Sequence, residues 1–212
     1  MSNLPKVAKK HLIIFTRYPE PGKTKTRLIP ALGSEGAARL HRQMTEHTLV
    51  QVKQLQKVIP ISWEVWFAGG NYQLMQDWLG AQLIYQPQDE GDLGQRMERS
   101  LFHAFESQAE YAVIIGTDCP ALNAEILALA FEELEHCELV LGPARDGGYY
   151  LIGLRYLRPE LFTNIDWGTN RVFSQTVEIA HKLNLSMVSL PVLADIDRPE
   201  DLCNWEAHLV ID

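Results

Sequence analysis

The chain has 212 residues, a formal net charge of −8 at pH 7 and an apolar fraction of 46%, which suits one α/β domain over residues 1–212 with a full core. The acidic balance gives no steering field for a polyanion, so nucleic-acid binding over a broad basic surface is disfavoured, and no apolar run reaches the ~20 residues of a membrane span. Cys119, Cys137 and Cys203 form neither a CxxC pair nor a zinc spacing and suit free thiols in a reducing cytoplasm.

The segment MSNLPKVAKKHLIIF joins a basic patch to an apolar run that stops at Thr16 and Arg17, with no small-residue cleavage site after it. It reads as a first strand, HLIIFT, and not as a signal peptide. From Ser34 to about Lys57, the residues Ala37, Leu40, Met44, Thr48, Val52 and Leu55 recur at helical spacing. ISWEVWFAG reads as a strand stopped by Gly69 and Gly70, NYQLMQDWLG as a short helix ended by Gly80, and AQLIYQ as a strand. LGQRMERSLFHAFESQ is an amphipathic helix. YAVIIGTD is a strand with the continuous apolar centre of one buried on both faces. A helix capped by Asn123 follows, then strands CELVLGPA and YYLIGL around RDGG. A helix from about Asn170 to Lys182, a strand LSMVSL and a helix after Pro199 complete the chain. Strands alternating with helices predict a layered α/β fold with a mostly parallel sheet. Ligands of such sheets bind outside the carboxyl ends of the strands.

Three loops at those ends carry chemistry. The first, within IIFTRYPEPGKTKTRL, holds Arg17, Lys23, Lys25 and Arg27 in an otherwise acidic chain. Gly22-Lys23-Thr24 resembles the tail of a P-loop, but G-x-x-x-x-G-K-[ST] needs a glycine where Arg17 stands. What remains is a loop stiffened by Pro19 and Pro21, whose spaced cations suit a diphosphate or triphosphate; the plain alternative is a solvated surface loop. In the second, Asp118 leaves a buried strand and Pro120 turns the chain away. Its carboxylate can reach the crevice and hold Mg²⁺ against phosphates. Cys119 has no basic neighbour in sequence to activate it as a nucleophile. The third, ARDGGYYLIGL, reads as an Asp-Gly-Gly hairpin turn that can also wall a ligand.

Two further segments belong with these. In LADIDRPEDL, Asp197 suits capping of the last helix, which leaves Asp195 as a candidate second metal ligand. In QDEGDLGQRM, Gly91 and Gly94 flank Asp92 and open a helix whose N–H groups can meet an anion or a base edge.

The ordered set KTRL, GDLGQRM, GTDCP, DGGYYLIGL and DIDRPEDL resembles a bacterial family of GT-A-fold, nucleotide-diphospho-sugar-transferase-like proteins, known as a domain of unknown function or as glycosyltransferases and in some members linked to arsenosugar biosynthesis. The resemblance covers nearly the whole chain. It extends more distantly to the molybdenum-cofactor and phospholactate guanylyltransferases. It implies an α/β, three-layer GT-A (nucleotide-diphospho-sugar transferase) fold with a nucleotide-binding N-terminal half and an acceptor-binding C-terminal half. Arg17, Lys23, Lys25 and Arg27 would match the phosphate-binding loop, Leu93 and Gly94 would lie near the base, and Asp118 would bind Mg²⁺ or Mn²⁺. Asp195 or Asp197 would match a second metal-binding carboxylate. Gly116 occupies the first aspartate position of the Asp-x-Asp usual in glycosyltransferases of this fold, and GTDCP is closer to the Gly-Asp-x-Pro of nucleotidyltransferases.

The expected function is a cytoplasmic, metal-dependent transferase using a nucleotide-activated donor. The first reading is glycosyl transfer from a nucleotide-diphospho-sugar to a small-molecule acceptor. The alternatives are nucleotidyl transfer from a nucleoside triphosphate with release of pyrophosphate, and a non-catalytic nucleotide-binding module. In the catalytic readings the metal on Asp118 and the basic loop neutralise the leaving group. Asp146 positions the acceptor hydroxyl or takes its proton. Gly147, Gly148, Trp167 and Thr169 are expected on the acceptor side, with simple packing an equal alternative for Trp167.

Overall fold

The computed structural model describes residues 8–203 and 205. The start of the N-terminal basic segment, and all of the last expected helix beyond residue 203 except Trp205, lie outside them. Seven strands form one sheet: β1 (Lys10–Arg17), β2 (Ile61–Ala68), β3 (Tyr85–Pro87), β4 (Tyr111–Ile115), β5 (Leu139–Pro143), β6 (Tyr149–Leu154) and β7 (Met187–Ser189). Their order is β3-β2-β1-β4-β6-β5-β7. Every neighbouring pair is parallel except those of β6, which runs antiparallel to β4 and β5. The exception follows from the Asp-Gly-Gly turn. A tight turn after β5 can only return the chain alongside it, whereas parallel neighbours need longer crossovers.

Those crossovers carry helices α1 (Ile29–Val58), α2 (Tyr72–Leu79), α3 (Leu93–Glu106), α4 (Ala124–Glu133) and α5 (Val172–Lys182). They cover both faces of the sheet, so β1 reads Leu12-Ile13-Ile14-Phe15 with no polar alternation. Leu12 and Ile14 share one core with Val52 and Leu55 of α1 and Leu127 and Phe131 of α4. Ile13 and Phe15 share the other with Met97 and Leu101 of α3 and Ala180 of α5. No described helix is long and apolar enough to cross a membrane.

Side-chain caps fix where the helices begin. Asn71 accepts the Leu74 N–H at 3.0 Å and Asn123 the Ile126 N–H at 2.9 Å. At α3, Asp92 accepts the Gln95 N–H at 2.8 Å while the Gln95 amide oxygen accepts the Asp92 N–H at 3.0 Å. This reciprocal capping box sets the first turn of α3.

Three elements differ from expectation. The helix expected from Ser34 begins at Ile29 because Pro30 suits a first helical turn, but Gly33 (φ 69°) breaks it, so Ser34 starts the regular part. The strand expected over 81–86 pairs only at Tyr85–Pro87, on the sheet edge, where short strands limit unwanted pairing. The chain after Pro199 starts as a single tight turn, Pro199–Asp201.

One buried ionic cluster lies on the α3 face of the sheet. Glu64 accepts the Trp66 indole N–H at 2.7 Å, with His11 Nε2 at 3.3 Å and His103 Nδ1 at 3.5 Å from the same carboxylate oxygen. Burial pushes the Glu64 carboxyl up, but His11 and Trp66 more than offset this and hold it below its unfolded value of 4.5. A depressed carboxyl pKa stabilises the fold above the unfolded value and loses that contribution as pH falls through the folded one. Glu64→Gln is therefore expected to lower the unfolding free energy at pH 7 by about 1–3 kcal/mol. In urea titrations the gap to wild type should close as the pH is lowered below about 4.

Candidate functional site

The loops after β1, β4 and β5 all leave the same end of the sheet, the carboxyl end of these strands. The chain at 193–196 then crosses them. Arg145 N–H donates to the Leu193 carbonyl at 3.0 Å and Ile196 N–H to the Asp118 carbonyl at 2.9 Å. These backbone bonds place Asp195 beside Asp146 and Asp197 beside Asp118. Three adjoining cavities of about 390, 310 and 560 Å³ result. The first two share Arg17, His41 and Asp118, and the last two share Arg27 and Asp197. They form one branched cleft.

Lys25 sits at the junction. Its backbone is left-handed (φ 49°, ψ 46°), which sends the side chain inward from a loop. The Glu20 N–H, bound to the Thr24 hydroxyl, and that hydroxyl, bound to the Tyr18 carbonyl, fix the loop just before it. Lys25 Nζ lies 2.9 Å from Asp118 Oδ1 and 3.7 Å from Asp197 Oδ1, and donates to the Ile196 carbonyl at 2.6 Å. The Lys25 side chain is 5% exposed, whereas that of Asp118 is 49% exposed and opens onto the cleft. Burial pushes the Lys25 ammonium down, but the charges of Asp118, Asp197 and Asp195 more than offset it, so its pKa is raised. Burial likewise pushes Asp118 up, and Lys25 and His41 outweigh it to hold the carboxyl below its ordinary value. Both groups are thus charged at neutral pH.

The remaining basic residues divide. Arg17 lines the first two cavities and makes no ion pair among the described residues. Arg27 pairs with Asp197. Lys23 is turned outward to Glu20 at 2.8 Å and lines none of the three cavities. Asp197 was expected to cap the last helix. The turn starts at Pro199, so Arg198 and not Asp197 stands at the cap position, and Asp201 inside the turn accepts the N–H groups of Asp197 and Arg198 at 3.1 and 2.8 Å. Asp197 is left to the two cations.

Across the cleft, Asp146 accepts the Gly148 N–H at 2.8 Å within its turn. Asp195 stands beside it. Burial first, then the charge of Asp146, raises the Asp195 pKa. Trp167 and Thr169 line the wall with Gly148, and Leu93 projects from the first turn of α3. Gly94 and Gly147 have packing roles. A Cβ on Gly94 would lie 2.5 Å from the Phe162 carbonyl and 2.7 Å from the Trp167 ring, and one on Gly147 would lie 2.3 Å from the Asn170 carbonyl. Both glycines let wall segments close on one another. Burial pushes the Cys119 thiol far up, so it stays protonated and is no nucleophile.

Several lining residues were not singled out from the sequence. Gln88 donates from its amide to the Thr16 and Trp66 carbonyls at 3.0 and 2.9 Å, tying the ends of β1 and β2. Arg96 donates to the Gly91 carbonyl at 2.8 Å. His41 lies on the buried face of α1, where a polar residue among Ala37, Leu40 and Met44 was the available signal.

Among the described residues, no three His, Cys, Asp or Glu side chains converge as a metal centre. A Mg²⁺-type ion needs less, usually one or two carboxylates with water and phosphate oxygens. Asp118 fits that demand. Its Oδ1 is buried, ion-paired to Lys25 but without a hydrogen bond of acceptable angle. Beside it Gly116 leaves space, with no atom within 4 Å of where a Cβ would stand.

Residues 49–169 match the family described as "Uncharacterized protein conserved in bacteria (DUF2064)". No curated protein matches the chain. Among solved structures, a protein of Desulfovibrio desulfuricans G20, provisionally named a nucleotide-diphospho-sugar transferase, is 33% identical with a TM-score of 0.85, over 90% of this chain and 83% of that one. A nucleotidyl transferase from Methanothermobacter thermautotroptrophicus is 12% identical with a TM-score of 0.65, over 96% of this chain and 99% of that one. Glucosyl-3-phosphoglycerate synthase from Mycobacterium tuberculosis, in complex with Mn²⁺, UDP and glucosyl-3-phosphoglycerate, is 13% identical with a TM-score of 0.56, over 95% of this chain and 77% of that one. The two more distant likenesses bear on the fold.

The Lys25–Asp118 contact makes a direct prediction. Removing one partner strands the other charge in a partly buried site. A double-mutant cycle of Lys25→Met and Asp118→Asn, read by urea denaturation at pH 7, is expected to give a coupling energy of about 0.5–3 kcal/mol. Additive effects would mean that the two charges do not depend on each other.

Proposed function

The chain belongs to the bacterial family DUF2064 and has the three-layer GT-A fold of nucleotide-diphospho-sugar transferases and nucleotidyltransferases, and from that premise we propose that it is a metal-dependent glycosyltransferase acting on a nucleotide-diphospho-sugar. The observation that carries the reading is that Arg17, Lys25, Arg27 and Asp118 line one cavity that adjoins those lined by Asp146 and Asp195, in one cleft at the ends of the strands. The 33% identical structure named for this donor class supports it.

In this reading the N-terminal half binds the nucleotide and the C-terminal half the acceptor. Leu93 covers the base beside the first turn of α3. Arg17, Lys25 and Arg27 bind the diphosphate; Lys23, held by Glu20, stays outside. Asp118 holds Mg²⁺ or Mn²⁺, with Asp195 the nearer of the two further carboxylates to an open wall, since Asp197 is engaged by Arg27 and Lys25. When bound, the ion supplies positive charge against the diphosphate leaving group. Lys25 and Arg17 share that load from fixed positions, so little reorganisation accompanies the reaction. Asp146, itself oriented by the Gly148 N–H, accepts a hydrogen bond from the acceptor hydroxyl. The acceptor oxygen bonds to the sugar carbon as the bond from that carbon to phosphate breaks. The nucleoside diphosphate leaves, and the hydroxyl proton passes to Asp146 or to water.

Gly116 supports a second reading. A lone Asp118 without a first aspartate suits nucleotidyl transfer, in which an oxygen of the second substrate bonds to the α-phosphorus of a nucleoside triphosphate as the bond from that phosphorus to the β-phosphate oxygen breaks and pyrophosphate leaves. One assay covers both. A nucleotide sugar with Mn²⁺ is expected to stabilise the protein by about 2.7 kcal/mol at a hundred times its dissociation constant. Asp118→Asn should abolish the metal-dependent part, and turnover should release a nucleoside diphosphate. Pyrophosphate release from a triphosphate would select the second reading. Nucleotide binding indifferent to metal and to Asp118, with no turnover, would leave a non-catalytic binding module.

A further inference from the structure

Apart from its effect on Asp118, His41 plays none of the roles above. It is 5% exposed and forms part of the wall shared by the two cavities that meet at Asp118. Its Nε2 lies 3.0 Å from the Arg17 carbonyl oxygen and 3.3 Å from the Thr16 hydroxyl. A carbonyl only accepts, so Nε2 carries a hydrogen. A neutral ring with its hydrogen on Nε2 has a lone pair on Nδ1.

That lone pair has no donor among the described residues. His41 Nδ1 is buried without a hydrogen bond and stands 3.9 Å from Asp118 Oδ1, which also has none. Oδ1 has the Lys25 ammonium beside it at 2.9 Å, but Nδ1 has nothing, and a buried acceptor left without a partner is costly unless something positive reaches it.

We propose that His41 Nδ1 is a ligand of the divalent ion held by Asp118, and that it biases the site toward Mn²⁺ over Mg²⁺. The inference rests on the metal reading of Asp118 given above. A metal-bound imidazole ordinarily gives its other N–H to a carbonyl or carboxylate, which fixes the ring and its tautomer. The Arg17 carbonyl does this here. A nitrogen ligand favours a first-row transition ion over Mg²⁺, a harder cation that takes oxygen. Lys25 retains the Ile196 carbonyl and Asp197 as partners when an ion engages Asp118.

The test uses tag-free, full-length protein with Mn²⁺ and inorganic pyrophosphate, read by pulsed electron paramagnetic resonance. Wild type is expected to show the coupling of a directly bound imidazole nitrogen, which changes when histidine is isotopically labelled. This measurement needs no variant. His41→Gln keeps an amide N–H for the Arg17 carbonyl but removes the Nδ1 lone pair. It should lose the coupling and bind Mn²⁺ about 10–100-fold more weakly, while Mg²⁺ binding changes by less than about threefold. Mn²⁺ binding that needs Asp118, tested with Asp118→Asn, but shows no nitrogen coupling would overturn the role of His41 and leave the metal reading intact. Absence of Mn²⁺ binding, or binding unaffected by Asp118→Asn, would overturn both.

Discussion

A buried ammonium has to be surrounded by acceptors, and Lys25 meets that requirement only by drawing three distant parts of the chain together. Asp118 comes from the exit of β4, and the Ile196 carbonyl and Asp197 come from the C-terminal segment. Burial alone would push the proton off Lys25; the surrounding carboxylates keep it on. The left-handed backbone at residue 25 aims the side chain inward, and the stiff Pro/Gly loop before it holds that conformation. The same contact fixes the Asp118 carboxylate and keeps it ionised. Everything assigned to the cleft therefore depends on one ion pair between residues 93 positions apart.

An acidic chain with a basic loop looks at first like an anion trap with four open cations. The local pairing is more economical. Lys23 is held by Glu20, Lys25 by Asp118 and Arg27 by Asp197, which leaves Arg17 as the loop cation without an ion pair among the described residues. An entering diphosphate then exchanges partners with the protein rather than filling a vacancy. Differential interaction with two such arrangements is what lets a ligand shift one toward the other. The opposite wall carries the complementary tension, since burial and then the like charge of Asp146 raise the Asp195 pKa. A cation or a hydroxyl donor between the walls relieves it.

Much of this was legible in the sequence because the relevant signals are local. Continuous apolar runs marked the doubly covered strands, and Asn123 marked a helix start. The three loops could be placed at one end of the sheet because they follow strands that run in the same direction. What was not legible depended on contacts across long separations. Nothing local distinguishes Lys23, which turns to solvent, from Lys25, which is buried 171 residues from its carbonyl partner. Asp197 had an ordinary local use as a helix cap, and only the fold shows the turn starting one residue later and Asp197 paired with Arg27 and Lys25. His41 was hidden in an apolar helical stripe, and Gly94 and Gly147 are explained by backbones that approach them from other elements.

The most direct test of the whole account is anomalous diffraction from crystals grown with Mn²⁺ and a nucleoside diphosphate. The account predicts a manganese peak bound to Asp118, with the diphosphate reached by Arg17 and Lys25 in the cleft between β1 and β4. A nucleotide bound elsewhere, or a manganese peak that does not touch Asp118, would contradict it.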